Sequence, residues 1–271
     1  MTAVVAPTAP KRRHGAAATV GRRFILPAAF IVFLIGLQEL LTRTDVLPSN
    51  YFPPASKIFM AFIDEFSSPA LPDALFGTLT TWIQALVISV VLGTAVGILL
   101  GLIVPLEAFL RPTIEFLRPV PSVALIPLVV LTIGTGSDSA LFLAVFAAFW
   151  QVLIPAIIGV RSAHPVALET ARSYNFTLWQ RIRYIQLPSM MPYLVTSIRL
   201  ATSTTLILIV TAEIIIQMPG LGYEITMSRS AGNPARMYAY IALSGIAGIV
   251  LNGLVRQVEA RVASIHGSGG K

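Results

Sequence analysis

The chain has 271 residues, 55% of them hydrophobic and only 11% charged, and its mean hydropathy is +0.80. Soluble domains carry about 25% charged residues, so the composition excludes a water-soluble domain and leaves a multi-span membrane protein. The absence of cysteine excludes a disulfide scaffold, a thiolate metal site, an iron–sulfur cluster and a cysteine nucleophile. The net charge of +7 comes from basic residues set between apolar runs. They read as topology signals, and no nucleic-acid partner is expected.

Residues 1–23 form a basic leader with Lys11, Arg12 and Arg13, expected to be a disordered cytoplasmic tail near anionic lipid. The apolar run after it ends in Thr42-Arg43-Thr44 with no small-residue cleavage site, so it reads as a span and not as a secretory signal. A membrane helix needs about 20 mostly apolar residues. Six segments qualify: 24–41, 79–104, 112–133, 139–160, 190–216 and 237–255. They make one transmembrane domain over 24–257, with no second domain and no internal repeat, followed by a tail over 258–271 that is disordered from 264.

Between the first two spans, Ile58, Phe59, Phe62, Ile63 and Phe66 recur at helical spacing after Ser56, a candidate N-cap. Asp64 and Glu65 fall off that apolar face. The expected helix lies in the interface plane against the outer ends of spans. In span two, Ala85, Ser89, Gly93, Gly97 and Gly101 follow one another at intervals of four. Such a ridge lets another helix approach closely, in the same subunit or in a partner. Span three carries Pro119, Pro121 and Pro127, which deprive the carbonyls of Glu115, Leu117 and Val123 of their helical donors. It reads either as a broken helix beside a translocation path or as a kink at the inner entry.

Span five is the most polar. Ser197, Thr204 and Thr211 share a stripe, and Arg199, Thr202 and Glu213 lie on the roughly opposite side. Glu213 is a lone carboxylate in an otherwise apolar stretch, 206–216, apart from Thr211. It reads either as part of a path or gate, with Thr204, Thr211, Pro119 and Pro121, or as a structural hydrogen bond to a neighbouring helix. Arg199 is close enough to the inner end to snorkel.

Charge sets the topology. The segments 1–23, 105–111, 161–189 and 256–271 hold 13 Lys and Arg, against 4 in 42–78, 134–138 and 217–236. The positive-inside rule then places both termini in the cytoplasm of a cell-membrane protein. Enzyme motifs are missing: there is no Gly-x-x-x-x-Gly-Lys-Ser/Thr, no His-Glu-x-x-His and no Gly-x-Ser-x-Gly, and His14, His164 and His266 are scattered. No catalytic, metal or cofactor site is expected.

The inner segment 161–189 is unusually organised. Glu169, Thr170, Ala171 and Arg172 read as a short helix that Asn175 can end in a left-handed turn. A second basic helix follows over 179–185, and Leu187-Pro188 starts span five in a new direction. Glu169 is placed to anchor the first helix on backbone N–H groups or on Arg181 or Arg183. A structured inner loop suggests a docking surface; the plainer alternative is a helix pair lying on headgroups.

The segment resembles the loop of permease subunits of binding-protein-dependent ABC importers: Glu-Ala-Ala, three residues, Gly, nine residues, Ile-x-Leu-Pro. Here it reads Glu169-Thr170-Ala171, Asn175, then Ile185-Gln186-Leu187-Pro188, with Thr170 and Asn175 departing from the pattern. The run 117–128, Gly159-Val160-Arg161, Ile198-Arg199-Leu200-Ala201 and Pro219-Gly220-Leu221-Gly222-Tyr223 resemble the nitrate/sulfonate/taurine-type branch. The resemblance implies an all-α, six-span fold of the type I importer permease (MetI-like) kind. It also implies a dimeric permease, homodimer or paralogue pair, and an external binding protein that delivers a small, usually anionic solute. ATP and Mg would sit on a separate ATPase dimer engaged by the loop. A secondary transporter or channel is the alternative, and it would show more intramembrane charge or an inverted repeat.

Overall fold

In the computed structural model of the chain the described residues are 16–267, and they are helical apart from short connections. The order is α1 (Ala16–Arg43), α2 (Ala55–Glu65), α3 (Ala70–Leu102), α4 (Val104–Leu117), a 3-10 turn (Ser122–Leu125), α5 (Ile126–Ile133), α6 (Ser137–Arg161), α7 (Pro165–Ser173), α8 (Leu178–Arg181), a π-helical turn (Ile182–Gln186), α9 (Leu187–Ile216), α10 (Leu221–Ser230) and α11 (Pro234–Gly267). Among the described residues five helices are long and apolar enough to cross a membrane, or six if α4 and the Ser122–Ile133 helix, bent by 81°, count as one. The expected tails at 1–15 and 268–271 fall outside the described residues. Helix occupies 16–23 and 264–267, where a tail was expected; the first stretch opens with Ala16-Ala17-Ala18, the strongest helix former repeated.

The chain divides into two compact units, up to Phe59 and from Met60 onward. In the first, the Glu39 carboxylate accepts from the Ser56 N–H (3.0 Å) and hydroxyl (2.9 Å). Ser56 is therefore not an N-cap: it lies inside α2, and its polar groups are drawn to a carboxylate on α1.

The second unit is built on α3, α6 and α9. The small-residue ridge of α3 faces α6, which answers whether its partner is internal. A Cβ on Gly93 would come within 2.8 Å of the Val152 Cβ, one on Gly101 within 2.8 Å of the Val160 Cβ, and one on Gly97 would collide with Ala156. Ser89 turns its hydroxyl inward to Ala85 (2.6 Å), keeping the ridge smooth. Trp82, Ala85, Ala148, Val152, Ala156, Met190, Ala201 and Ile209 fill the seam. Alanine and glycine dominate because lipid supplies no hydrophobic drive between helices, so close approach and dispersion must hold them.

The third span is broken as its prolines imply. Leu117 O accepts from the Val120 N–H (3.2 Å), and Val123 O from the Ile126 N–H, so short-range turns satisfy part of what the missing N–H groups leave open.

Candidate functional site

Two polar constructions stand out, one at each end of α9. At its C-terminal end Glu213 is fully buried, 0% exposed. The Thr78 hydroxyl of α3 donates to its Oε1 (2.7 Å), and the Gly222 N–H donates to its Oε2 (2.8 Å). Thr78 in turn accepts from the Leu221 N–H (2.9 Å). Leu221 and Gly222 open α10, whose first N–H groups have no partner within their own helix. Glu213 and Thr78 supply those partners, and the carboxylate also meets the positive end of the helix dipole. The glycines of Pro219-Gly220-Leu221-Gly222 are there for close approach. A Cβ on Gly220 would overlap the Glu213 carboxylate, and one on Gly222 would lie 2.7 Å from the Glu213 Cβ. Of the two roles open for Glu213, the geometry displays a hydrogen bond to neighbouring elements, which ties α9 to α3 and α10.

The other residues of that expected path do not join it. Thr204 donates to Leu200 O (3.1 Å) and accepts from the Gln151 Nε2 of α6 (3.3 Å). Thr211 donates to Ile207 O (2.7 Å). Both are half-buried, on the stripe away from Glu213. Gln151 was not singled out, although a glutamine in mid-span was the signal that could have found it. Pro119 and Pro121 are exposed at the bend. Pro119 and Arg118 line a cavity of about 580 Å³ with Glu107, Arg111, Glu115 and Arg161.

A second network joins residues far apart in sequence, and Glu65 was read without its partners. Glu65, 7% exposed, accepts from Arg236 Nε (2.7 Å) and from the Tyr240 hydroxyl (2.6 Å), and Arg236 Nη2 reaches Glu224 at 3.2 Å. Glu65 was expected off the buried face of α2; instead Glu65 and Phe62 face the protein, and Ile63 and Phe66 point outward. Pairing with Arg236 and Tyr240 is what makes the buried carboxylate tolerable.

At the N-terminal end of α9 sits the 161–189 segment. α7 ends as expected: Asn175 has φ 55°, its N–H donates to Arg172 O (3.0 Å), and the Phe176 N–H donates to Ala171 O (2.9 Å). This is a Schellman turn. Thr177 then caps α8: its Oγ1 accepts from the Gln180 N–H (3.3 Å) while the Gln180 Oε1 accepts from the Thr177 N–H (2.8 Å). Ala171 is buried, whereas Glu169, Thr170, Arg172 and Asn175 are exposed.

Two expectations are corrected here. The Glu169 carboxylate has no hydrogen-bond or ion-pair partner among the described residues; only its backbone carbonyl is engaged, by Ser173. A side chain this exposed is solvated, and no cation is brought to it. Pro188 does not start a new direction either. The chain stays helical from Leu178 through the π-helical turn into α9, so Ile185, Leu187 and Pro188 lie on one continuous rod. The wider π register and the first-turn position of Pro188 accommodate its missing N–H. Arg161 locks the C-terminal ends of α3 and α6 together, donating to Leu100 O (3.1 Å) and Gly101 O (3.2 Å).

No group of His, Cys, Asp or Glu among the described residues could hold a metal ion. The chain is 28% identical over 256 residues to the taurine transport system permease protein TauC of Escherichia coli (strain K12), covering 92% of each. It is 26% identical over 246 residues to the nitrate import permease protein NrtB of Leptolyngbya laminosa, covering 89% of this chain and 88% of that one. Its fold is similar to that of a chain in inward-facing structures of the MetNI methionine ABC transporter, with TM-score 0.60, 19% identity, and 69% of this chain and 93% of that one covered. The family model matches residues 89–264, from the second half of α3 into α11, a range that holds Glu213, Gly222 and the whole 161–189 segment. The chain belongs to the family of binding-protein-dependent transport system inner membrane components.

Proposed function

We propose that the chain is the membrane-spanning subunit of an ATP-driven importer for a small anionic solute of the sulfonate, nitrate or carboxylate class. The observation that carries this is the segment 165–188. A short helix with an exposed face, closed by the Asn175 turn, is joined through a capped helix to the rod that becomes α9. Glu169, Thr170, Ala171, Arg172 and Asn175 form the knob that enters a groove on a separate ATPase. Ile185, Leu187 and Pro188 lie on the rod that carries its displacement into the membrane. The solute class follows the relatives named for taurine and nitrate.

In this reading both termini and the 161–189 loop are cytoplasmic, and the outer ends of α3, α10 and α11 face an external binding protein. A second permease copy completes the path. Thr204, Thr211 and Gln151 contribute a polar wall to it, and the bend at Pro119 and Pro121 sits beside it. The Glu213 clasp fixes the outer end, so that movement of α9 is passed to α3 and α10 and gates the path. ATP and Mg are bound by the ATPase subunits.

The test is capture and topology together. Reporter fusions after residues 50, 108, 136, 175, 225 and 260 should alternate out, in, out, in, out, in. Glu169→Lys and Asn175→Trp should leave the permease in the membrane, weaken co-purification with the ATPase and abolish uptake. An external signal at residue 175, or unchanged capture and uptake in both variants, overturns the proposal.

A further inference from the structure

Under the coupling loop, the last turn of α3, the end of α6, α7 and the junction of α8 with the π-helical turn enclose a cavity of about 560 Å³. That is within the range of sites that hold small ligands. Its charged lining consists of Arg161, Arg172 and Arg181, with no carboxylate. Arg161 is partly engaged by Leu100 O, Gly101 O and, at 3.5 Å, Glu107. Among the described residues neither Arg172 nor Arg181 has a carboxylate partner. Three guanidinium groups around one cavity repel one another unless an anion lies between them.

Two further atoms narrow the chemistry. Nε of Arg181 and Oε1 of Gln186 are buried and lack partners among the described residues. One is a donor and the other an acceptor. Buried polar atoms are almost always paired, and both side chains belong to the cavity wall, so an occupant that accepts at Arg181 and donates at Gln186 would complete them. Arg181 precedes the π-helical turn and Gln186 is its last residue, and such a departure from regular helix often marks a functional position. The cavity wall continues onto Leu99 and Ile103, apolar and 48% and 43% exposed on the last turn of a membrane helix.

We infer that this cavity binds the headgroup of an anionic phospholipid, a phosphodiester next to a hydroxyl, as in phosphatidylglycerol. The phosphate oxygens accept from Arg172 and Arg181 in the forked geometry guanidinium favours. The glycerol hydroxyl donates to Gln186, and the acyl chains lie along Leu99 and Ile103. A free phosphate ester shares the polar chemistry but leaves the apolar flank unused. Basic pockets among membrane helices on the cytoplasmic side suit such headgroups, and the inference rests on the cytoplasmic placing of the loop proposed above. The bound lipid ties the coupling segment to the bilayer at the point where α8 becomes α9.

The test is native mass spectrometry of the complete importer titrated with dioleoylphosphatidylglycerol, dioleoylphosphatidylcholine and inorganic phosphate. Phosphatidylglycerol should be retained over phosphatidylcholine, and Arg181→Gln should weaken its retention by about tenfold or more. Gln186→Leu keeps every charge and should weaken phosphatidylglycerol while leaving dioleoylphosphatidylmethanol, which lacks the hydroxyls, unchanged. Retention of phosphatidylglycerol at the wild-type level in both variants overturns the inference. Displacement by millimolar inorganic phosphate assigns the cavity to a soluble anion and overturns the lipid. Retention by the isolated permease but not by the complete importer assigns it to the ATPase, with the same consequence. The ATPase captured in the same samples reads the docking role separately, so loss of lipid with capture intact leaves the proposed function standing.

Discussion

The two ends of α9 treat charge in opposite ways. At the C-terminal end a carboxylate is fully buried with both oxygens engaged, and Glu65 nearby in the fold is closed off by Arg236 and Tyr240. At the N-terminal end the backbone is as carefully satisfied, by a Schellman turn and a capping box, yet the Glu169 and Arg183 side chains are exposed. A buried, saturated charge fixes a junction, because removing one partner leaves the other desolvated. A rigid backbone bearing exposed charges adds little to the stability of the chain alone, since exposed ion pairs contribute little. Such a surface gains its energy when something else covers it.

The comparison breaks most severely at Glu213. Glu213→Leu leaves the Gly222 N–H without an acceptor in a low-dielectric seam and should cost about 2–5 kcal/mol. The expected outcome is loss of monodisperse protein in detergent and loss of uptake. Glu213→Gln keeps one acceptor and the shape, and should cost about 1–2 kcal/mol, with a lowered melting temperature and residual uptake. Equal melting temperatures for wild type and both variants would show that the clasp does not hold α9 to α3 and α10.

Glu169→Lys sharpens the other side. As an exposed group without a partner, Glu169 should change thermal stability by no more than about 0.5 kcal/mol, while ATPase capture and uptake collapse. A fall in melting temperature comparable to that of Glu213→Gln would place Glu169 in the fold instead of on the docking face.

Arg236→Gln comes next. It strips Glu65 and Glu224 of their cation and leaves Tyr240 as the only remaining donor to Glu65 among the described residues. Arg236 is partly exposed, so water screens the loss, and about 1–2 kcal/mol is expected. Glu65→Gln with Arg236→Gln should recover part of it, because the neutral pair carries no unmatched charge. A double variant as unstable as the sum of the singles would mean that the two side chains do not interact.

What the sequence made legible was local. The small-residue ridge of α3, the broken third span and the left-handed Asn175 each depend on residues within one or two turns, where propensity and sterics decide. What it hid was long-range. Thr78 and Glu213 are 135 residues apart, and Glu65 and Tyr240 are 175 apart. A carboxylate on an amphipathic helix reads as solvated until its cation is found on another element. Ser56 shows the same failure over a shorter distance: a hydroxyl near a helix start satisfies the capping rule, yet a carboxylate on α1 took it. Pro188 failed for a different reason. The rule that proline interrupts a helix holds in helix interiors, and a π-helical turn just before it moves Pro188 into a first turn, where no N–H is required.

The smallest effect expected is that of Asn175→Gly, and it tests whether the knob is made by the turn or by the side chain. Asn175 holds φ 55°, where most L-residues are strained by about 1–2 kcal/mol and glycine is not. The two bonds that close the turn are both backbone to backbone, from Asn175 to Arg172 and from Phe176 to Ala171. The asparagine side chain is needed for neither. Glycine should therefore keep the turn, relieve residual strain and raise the entropy of the unfolded segment, with a net change of about 0.5 kcal/mol or less. ATPase capture and uptake should match wild type. Thr177→Ala, two residues on, removes the Oγ1 that accepts from Gln180 and should cost about 1 kcal/mol of helix-start stability, with a measurable loss of capture. If Asn175→Gly loses capture as fully as Asn175→Trp, the amide itself meets the ATPase, and the shape of the turn is not what the partner reads.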